Sequence, residues 1–182
     1  MCLQFMQWMK SPVPVFHDLT QMELFFNFKG DNWGWMWRWM QRALRRSPKL
    51  QHLTITIHEV DFTYVYDNLM IYFVNSISTH LNIFFLVGIS LNCLQEIKDE
   101  DTWKDPKVTP KCLSSQLRTC LLKDCRGRKC ELQFAEYVMQ NSKVLRTMTI
   151  HSACSLDLNV KHQMFQKLSV CPRGCKLIFN WW

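Results

Sequence analysis

The sequence predicts an α/β protein built as a solenoid of repeated strand–helix units, and three observations carry that prediction. Residues 112–150 run strand, turn, helix, strand with no gap in the pattern. SPKLQHLTI at 47–55 is echoed by SKVLRTMTI at 142–150: Ser47 matches Ser142, Leu50 matches Leu145, Leu53 matches Met148, and Thr54-Ile55 matches Thr149-Ile150. A weaker third copy, LTQMEL, occupies 19–24. A unit of this kind completes its core only by stacking on a neighbour.

Taken in order, residues 1–15 are irregular and end in Ser11-Pro12-Val13-Pro14. Residues 16–26 read as a strand through Leu19, Met22 and Leu24, and 28–34 as a polar loop. Residues 33–46, WGWMWRWMQRALRR, place Trp33, Met36, Trp37, Met40 and Leu44 on one helical face and most arginines on another. Such a basic, Trp-rich helix suits a membrane surface or calmodulin. The next strand, 47–55, favours the plainer reading, tryptophans packed on flanking strands. Residues 59–94 break the rhythm. They are apolar and aromatic, and 69–91 is long enough to span a bilayer, yet Asn75, Ser76, Ser78, Thr79, His80 and Asn82 sit in its middle. An insertion foreign to the repeat is the preferred reading, with a membrane anchor as the alternative.

Residues 95–110 form a polar run with Pro106 and Pro110. In the unit that follows, Leu117, Thr119 and Leu121 alternate with Arg118 and Cys120, the period of two of a half-buried strand. A charged turn at 123–129 carries Gly127 for a left-handed bend. Leu132, Ala135, Val138 and Met139 make the stripe of a helix starting near Glu131, which Asn141 and Ser142 close. Leu145, Met148 and Ile150 lie on the next strand. A helix over 159–169, capped by Asn159, recurs through Val160, Met164 and Leu168, and 175–179 is a last strand.

The chain has 182 residues, 48% of them hydrophobic, enough to bury a core in one domain or a small pair. Its net charge of +7, from 22 basic and 15 acidic residues, is uneven: Arg38, Arg42, Arg45, Arg46 and Lys49 cluster early, and Glu96, Asp99, Glu100 and Asp101 form an acidic run. No recognition motif accompanies the charge, so nucleic acid is not the expected partner. The first ten residues lack the build of a secretory signal. With nine cysteines, an odd number, the reading is reduced thiols in an intracellular protein of cytoplasm or nucleus. Cys120, Cys125 and Cys130, with Cys171 and Cys175, are the candidate zinc ligands, but no pair has the two-residue spacing of a zinc knuckle. No metal, cofactor or catalytic residues are therefore assigned. The six histidines stand in no catalytic motif and Asp99, Glu100 and Asp101 read as a solvated linker, so the chain is not expected to be an enzyme.

Repeated strand–helix units are the mark of a leucine-rich-repeat-like solenoid. Residues 103–179 further resemble the FBD domain of plant F-box/FBD/leucine-rich-repeat proteins. The resemblance rests on Trp103, Pro110-Lys111-Cys112-Leu113, Leu117, Glu131-Leu132, Ala135, Tyr137-Val138-Met139, Asn141, the 145–150 strand, Leu168, Cys171-Pro172-Arg173 and Cys175-Lys176-Leu177. Residues 16–55 look like the last repeats before that domain. The implied organisation is 1–15 irregular, 16–58 terminal repeat units, 59–94 insertion and 95–182 FBD domain.

The resemblance implies a non-enzymatic protein-interaction module, the substrate-recognition region of an F-box-type ubiquitin ligase subunit. Nothing here matches the family's F-box, so the expectation is a C-terminal fragment, a shortened product or a mis-predicted gene that does not bind the cullin adaptor. The protein substrate stays unidentified. Strand alternation offers Gln21, Glu23, His52, Thr54, Arg118, Arg146 and Thr147 as candidate contacts.

Overall fold

One short pattern, a leucine followed at the third and fifth positions by apolar side chains, builds the sheet four times over. Leu19, Met22 and Leu24 form the first copy, Leu50, Leu53 and Ile55 the second, Leu117, Cys120 and Leu122 the third, and Leu145, Met148 and Ile150 the fourth; all twelve are buried. The computed structural model describes residues 13–28, 33–59, 82–88, 106–171 and 174–181. The elements are β1 (Gln21–Phe28), α1 (Trp33–Arg45), β2 (His52–Glu59), β3 (Asn82–Gly88), α2 (Lys111–Ser115), β4 (Thr119–Cys125), α3 (Lys129–Asn141), β5 (Thr147–Ser152), α4 (Leu158–Ser169) and β6 (Lys176–Asn180). The six strands form one sheet in the order β3-β1-β2-β4-β5-β6, and every pairing is parallel.

The register turns the sequence repeat into rows. Met22, Leu53, Cys120, Met148 and Leu177 line up across five strands, and Leu24, Ile55, Leu122, Ile150 and Phe179 make the next row. The joins repeat too. Thr20 O accepts Gln51 N and His52 N, Gln51 O accepts Arg118 N and Thr119 N, and Arg118 O accepts Arg146 N and Thr147 N. The leucine that opens each copy sits just ahead of its strand and reaches the core from there. Sequence alternation grouped Leu117, Thr119 and Leu121 on one face; in the structure β4 begins at Thr119, its inward side chains are Cys120 and Leu122, and Leu121 faces outward, half-buried. The apolar Leu121 on the outer face disguised the true phase.

From β1 to β2, and from β4 through β5 to β6, successive parallel strands step the same way across the sheet. Buried residues of α1, α3 and α4 join the inward strand side chains in one core, which places these helices on one face. Trp37, Trp39, Met40, Ala43 and Leu44 of α1 are buried, and Trp37 stacks on Phe134 of α3 with ring centroids 4.8 Å apart. The Trp-rich helix thus spends its described tryptophans on the core; Trp33 and Met36 of the proposed stripe lie outside the described side chains. Leu132, Ala135, Val138 and Met139 of α3 are buried as their spacing requires, as are Met164 and Leu168 of α4.

Four local features differ from the sequence reading. The short helix α2 was not expected. Its Cys112 and Leu113 are fully buried, and the Cys112 Sγ donates to Leu44 O at 3.2 Å, joining α2 to the end of α1. Second, Asp157 rather than Asn159 caps α4: the Asp157 carboxylate accepts the Asn159 backbone N–H at 2.6 Å. Third, Trp181, for which the sequence offers no reading, stacks on Phe179 with ring centroids 4.8 Å apart. Fourth, Asn82–Gly88, inside the stretch read as a foreign insertion or a span over 69–91, is a strand hydrogen-bonded along β1. A single spanning helix over 69–91 is therefore not what this structure forms at 82–88; the remainder of 69–91, and the rest of 60–94, lie outside the described residues. Among the described residues no helix is long and apolar enough to cross a membrane.

Candidate interaction surface

With core side chains on one face of the sheet, the odd-numbered residues of β1, β4 and β5 and the even-numbered residues of β2 and β6 project from the other. Two rows cross five strands there: Gln21, His52, Thr119, Thr147 and Lys176, then Glu23, Thr54, Leu121, Thr149 and Ile178. A third row carries Phe25, Thr56 and Lys123. These residues are exposed or half-buried, except Thr56, which is 4% exposed between its row neighbours.

Polar contacts pin parts of this face. His52 Nδ1 lies 2.8 Å from Thr119 Oγ1, linking β2 to β4. Lys123 Nζ reaches across β2 to Glu23 Oε1 at 3.4 Å. Both side chains are partly solvated, so the pair adds about 0.5 kcal/mol and serves more to order the face than to hold the fold. Asn180 Nδ2 lies 2.7 Å from His151 Nε2, joining β6 to β5.

Of the seven candidates, Gln21, Glu23, His52, Thr54 and Thr147 fall on this open face. Arg118 and Arg146 do not. Each stands one residue ahead of its strand, in phase with the core positions Cys120 and Met148, and is exposed at the rim where the strands begin. Alternation alone missed Thr119, Leu121, Lys123, Thr149, Lys176 and Ile178. Aligning the Leu117 copy with the other three would have found the first three by phase.

The β4–α3 turn is held by a buried carboxylate. Asp124 and Gly127 take left-handed backbone, with φ of 56° and 75°, and Glu131, with no exposed surface, accepts the N–H groups of Arg126 and Arg128 on Oε2, each at 2.9 Å. The Cys125 thiol donates to the same oxygen at 3.4 Å. Burial pushes the Glu131 carboxyl above its ordinary value, against the opposing pull of these donors.

None of the seven described cysteines is in a disulfide. Burial pushes the thiols of Cys112, Cys120 and Cys130 up to about 12 and that of Cys125 well above its ordinary value. Such thiols stay protonated and are poor nucleophiles and poor metal ligands. Among the described residues no three His, Cys, Asp or Glu side chains converge on a metal-sized site.

Residues 105–150, from the approach to α2 through β5, match the FBD family. This segment resembles an FBD domain. Around it the chain is 37% identical over 83 residues to an FBD-associated F-box protein of Arabidopsis thaliana, a match covering 46% of this chain and 19% of that relative. A second FBD-associated F-box protein of Arabidopsis thaliana is 45% identical over 72 residues, 40% of this chain and 16% of the relative. An F-box/FBD/LRR-repeat protein of the same plant is 32% identical over 82 residues, 43% of this chain and 19% of the relative. The chain thus spans under a quarter of the length of the curated relatives it matches. No solved structure matches. Within the FBD domain, Cys112 and Leu113 plug α2 into the core, Glu131 anchors the β4–α3 turn, and Asn141 ends α3 by donating to Tyr137 O at 2.9 Å and accepting from Thr109 Oγ1 at 3.2 Å. The motif residues described are those that join elements.

Proposed function

We propose that this chain is a non-enzymatic protein-interaction module, acting in substrate recognition for a plant F-box-type ubiquitin ligase. The observation that carries the reading is the open face of the parallel sheet. Five strands in register present two rows there, one polar and one mixing polar residues with Leu121 and Ile178, while the helices occupy the opposite face. The FBD match and relatives named as F-box proteins supply the ubiquitin-ligase setting. Strands β1, β2, β4, β5 and β6 follow chain order with one kind of join, which supports reading residues 16–58 as terminal leucine-rich-repeat-like units running into the FBD domain. Partner recognition needs no reactive group, and five of the seven described thiols are buried.

Proximity labelling in plant cells tests this. The tagged chain is expected to label a reproducible set of proteins including at least one whose ubiquitination changes when the chain is removed. Glu23→Lys combined with Thr149→Arg on the open face should lose that protein. Gln166→Arg, on exposed α4, should keep it. An identical set from both variants would remove the open face from the reading.

A further inference from the structure

The end of the sheet where the strands begin is one-sidedly cationic. Five described connections lead into strands there: 13–20, 45–51, 116–118, 142–146 and 170–176, the last without residues 172 and 173. They expose Arg45, Arg46, Arg118, Lys143, Arg146 and Lys176. The one acid on these connections, Asp18, is already held by Lys49 at 2.6 Å. At the other end of the sheet Asp124, Glu131 and Asp157 offset Arg126, Arg128 and Lys129.

Two details separate this rim from an ordinary solvated surface. Arg118 and Arg146 precede β4 and β5 at matched positions, since Thr119 pairs with Thr147 and Arg118 O accepts Arg146 N at 2.8 Å. Neighbouring strands are about 4.8 Å apart, and like charges facing each other across them are unfavourable. Cations at helix C-termini complement the helix dipole, which accounts for Arg45 in the last turn of α1 but not for residues at strand starts. The rim also exposes aliphatic side chains. Val15 is 40% exposed beside the end of α1, where Phe16 N donates to Arg46 O; Val144 is 42% exposed between α3 and β5, and Val170 is 82% exposed at the end of α4.

From this juxtaposition we propose that the strand-start rim docks an extended protein segment in which acidic and aliphatic side chains alternate. Carboxylates of such a segment relieve the Arg118–Arg146 repulsion, and its aliphatic side chains cover Val144 and Val170. Nucleic acid fits less well: phosphates satisfy the cations, but among the described residues the rim has no exposed aromatic platform for bases, and nucleic acid gives the valines no partner. An anionic bilayer fits less well because the rim is a row of separate loops, not one amphipathic helix with a broad apolar face. The proposal rests on the interaction-module reading and adds a second surface and the chemistry of its ligand.

Fluorescence anisotropy on the full chain provides the test, with a labelled twelve-residue peptide of alternating glutamate and leucine as probe. A single-stranded oligonucleotide of twelve nucleotides and phosphatidylserine vesicles are the competitors. The peptide should bind and weaken as salt rises. The double variant Arg118→Glu/Arg146→Glu should weaken it by about tenfold or more, and Val144→Ser/Val170→Ser by about threefold. Lys129→Glu at the opposite end should leave it unchanged. Arg118→Gln/Arg146→Gln, which removes charge without reversing it, gives a second reading in a chain whose tryptophan fluorescence confirms folding. No peptide binding, binding untouched by the arginine variants, or tighter binding of the oligonucleotide or vesicles would overturn the proposal. If the peptide fails while the open-face variant still loses its labelled protein in cells, the rim alone is refuted. If the peptide binds and the labelled set ignores the open face, that reading is the one that fails.

Discussion

Two strand-to-helix turns, β4–α3 and β5–α4, solve the same problem with carboxylates placed differently. Each helix start leaves backbone N–H groups without partners. In the first turn Glu131 reaches back from inside the helix, takes two loop amides on one oxygen, and is sealed from water. In the second, Asp157 stands ahead of the helix, takes the Asn159 amide at 2.6 Å, and is exposed. Water can replace the Asp157 carboxylate and cannot replace Glu131. The first turn is also roofed: a Cβ on Gly127 would meet Met164 Cγ of α4 at 2.8 Å. The chemistry of the two turns is alike, and burial sets how much depends on each.

Substitution at Glu131 should therefore do the most damage. Glu131→Ala leaves the Arg126 and Arg128 amides and the Cys125 thiol without their acceptor in a dry site, and is expected to lower unfolding free energy by about 3 kcal/mol in urea titration. A loss under 1 kcal/mol would mean water enters the turn.

Gly127→Ala comes next, at about 2 kcal/mol, because it combines a φ of 75° with the Met164 contact. Met164→Ala should relieve only the contact. The double variant should then lose less than the sum of the singles, and strict additivity would show that backbone conformation is the whole effect.

Asp157→Ala should lose about 1 kcal/mol, the ordinary worth of an exposed cap, and Asp157→Asn much less. Equal losses at Asp157 and Glu131 would erase the distinction between the turns.

The subtlest difference is in pH. The folded Glu131 carboxyl is raised, so above its unfolded pKa the folded state holds more proton than the unfolded one, and stability falls as pH rises toward the folded value. Below the unfolded pKa both states are protonated and the contribution is fully present. The slope from one such group cannot exceed about 1.4 kcal/mol per pH unit. Glu131→Gln should remove that component of the slope when urea midpoints are compared across the acid range. An unchanged slope in the variant would assign the dependence elsewhere.

The contrast also shows what was legible beforehand. Strand and helix identity over 117–179 followed from apolar periodicity, and the left-handed bend at Gly127 from the only residue type that takes it freely. Glu131 was visible only as a letter in the family motif, because nothing local says that a glutamate in a first helical turn will be buried under another helix. Asn159 and Asp157 are both good caps, and the choice depended on where β5 ended. The Leu117 copy hid behind a cysteine at its second apolar position and a leucine on its outer face. Of the open face, five of seven candidates were found by alternation. Arg118 and Arg146 were misplaced because alternation cannot say where a strand starts, and their register became readable only once the backbone joins were known.

Those joins have a mechanical consequence. β2, β4 and β5 are each fastened to the preceding strand of the sheet by the same pair of amides on a single carbonyl, so rigidity passes along the sheet as through the links of a chain, nearest neighbour to nearest neighbour. β6, like β3, has a neighbour on one side only, and its start is tied to β5 through Lys176 N donating to Arg146 O. The sheet would peel from these edges, while β2 and β4, clasped from both sides, would be the last to let their amides exchange with solvent.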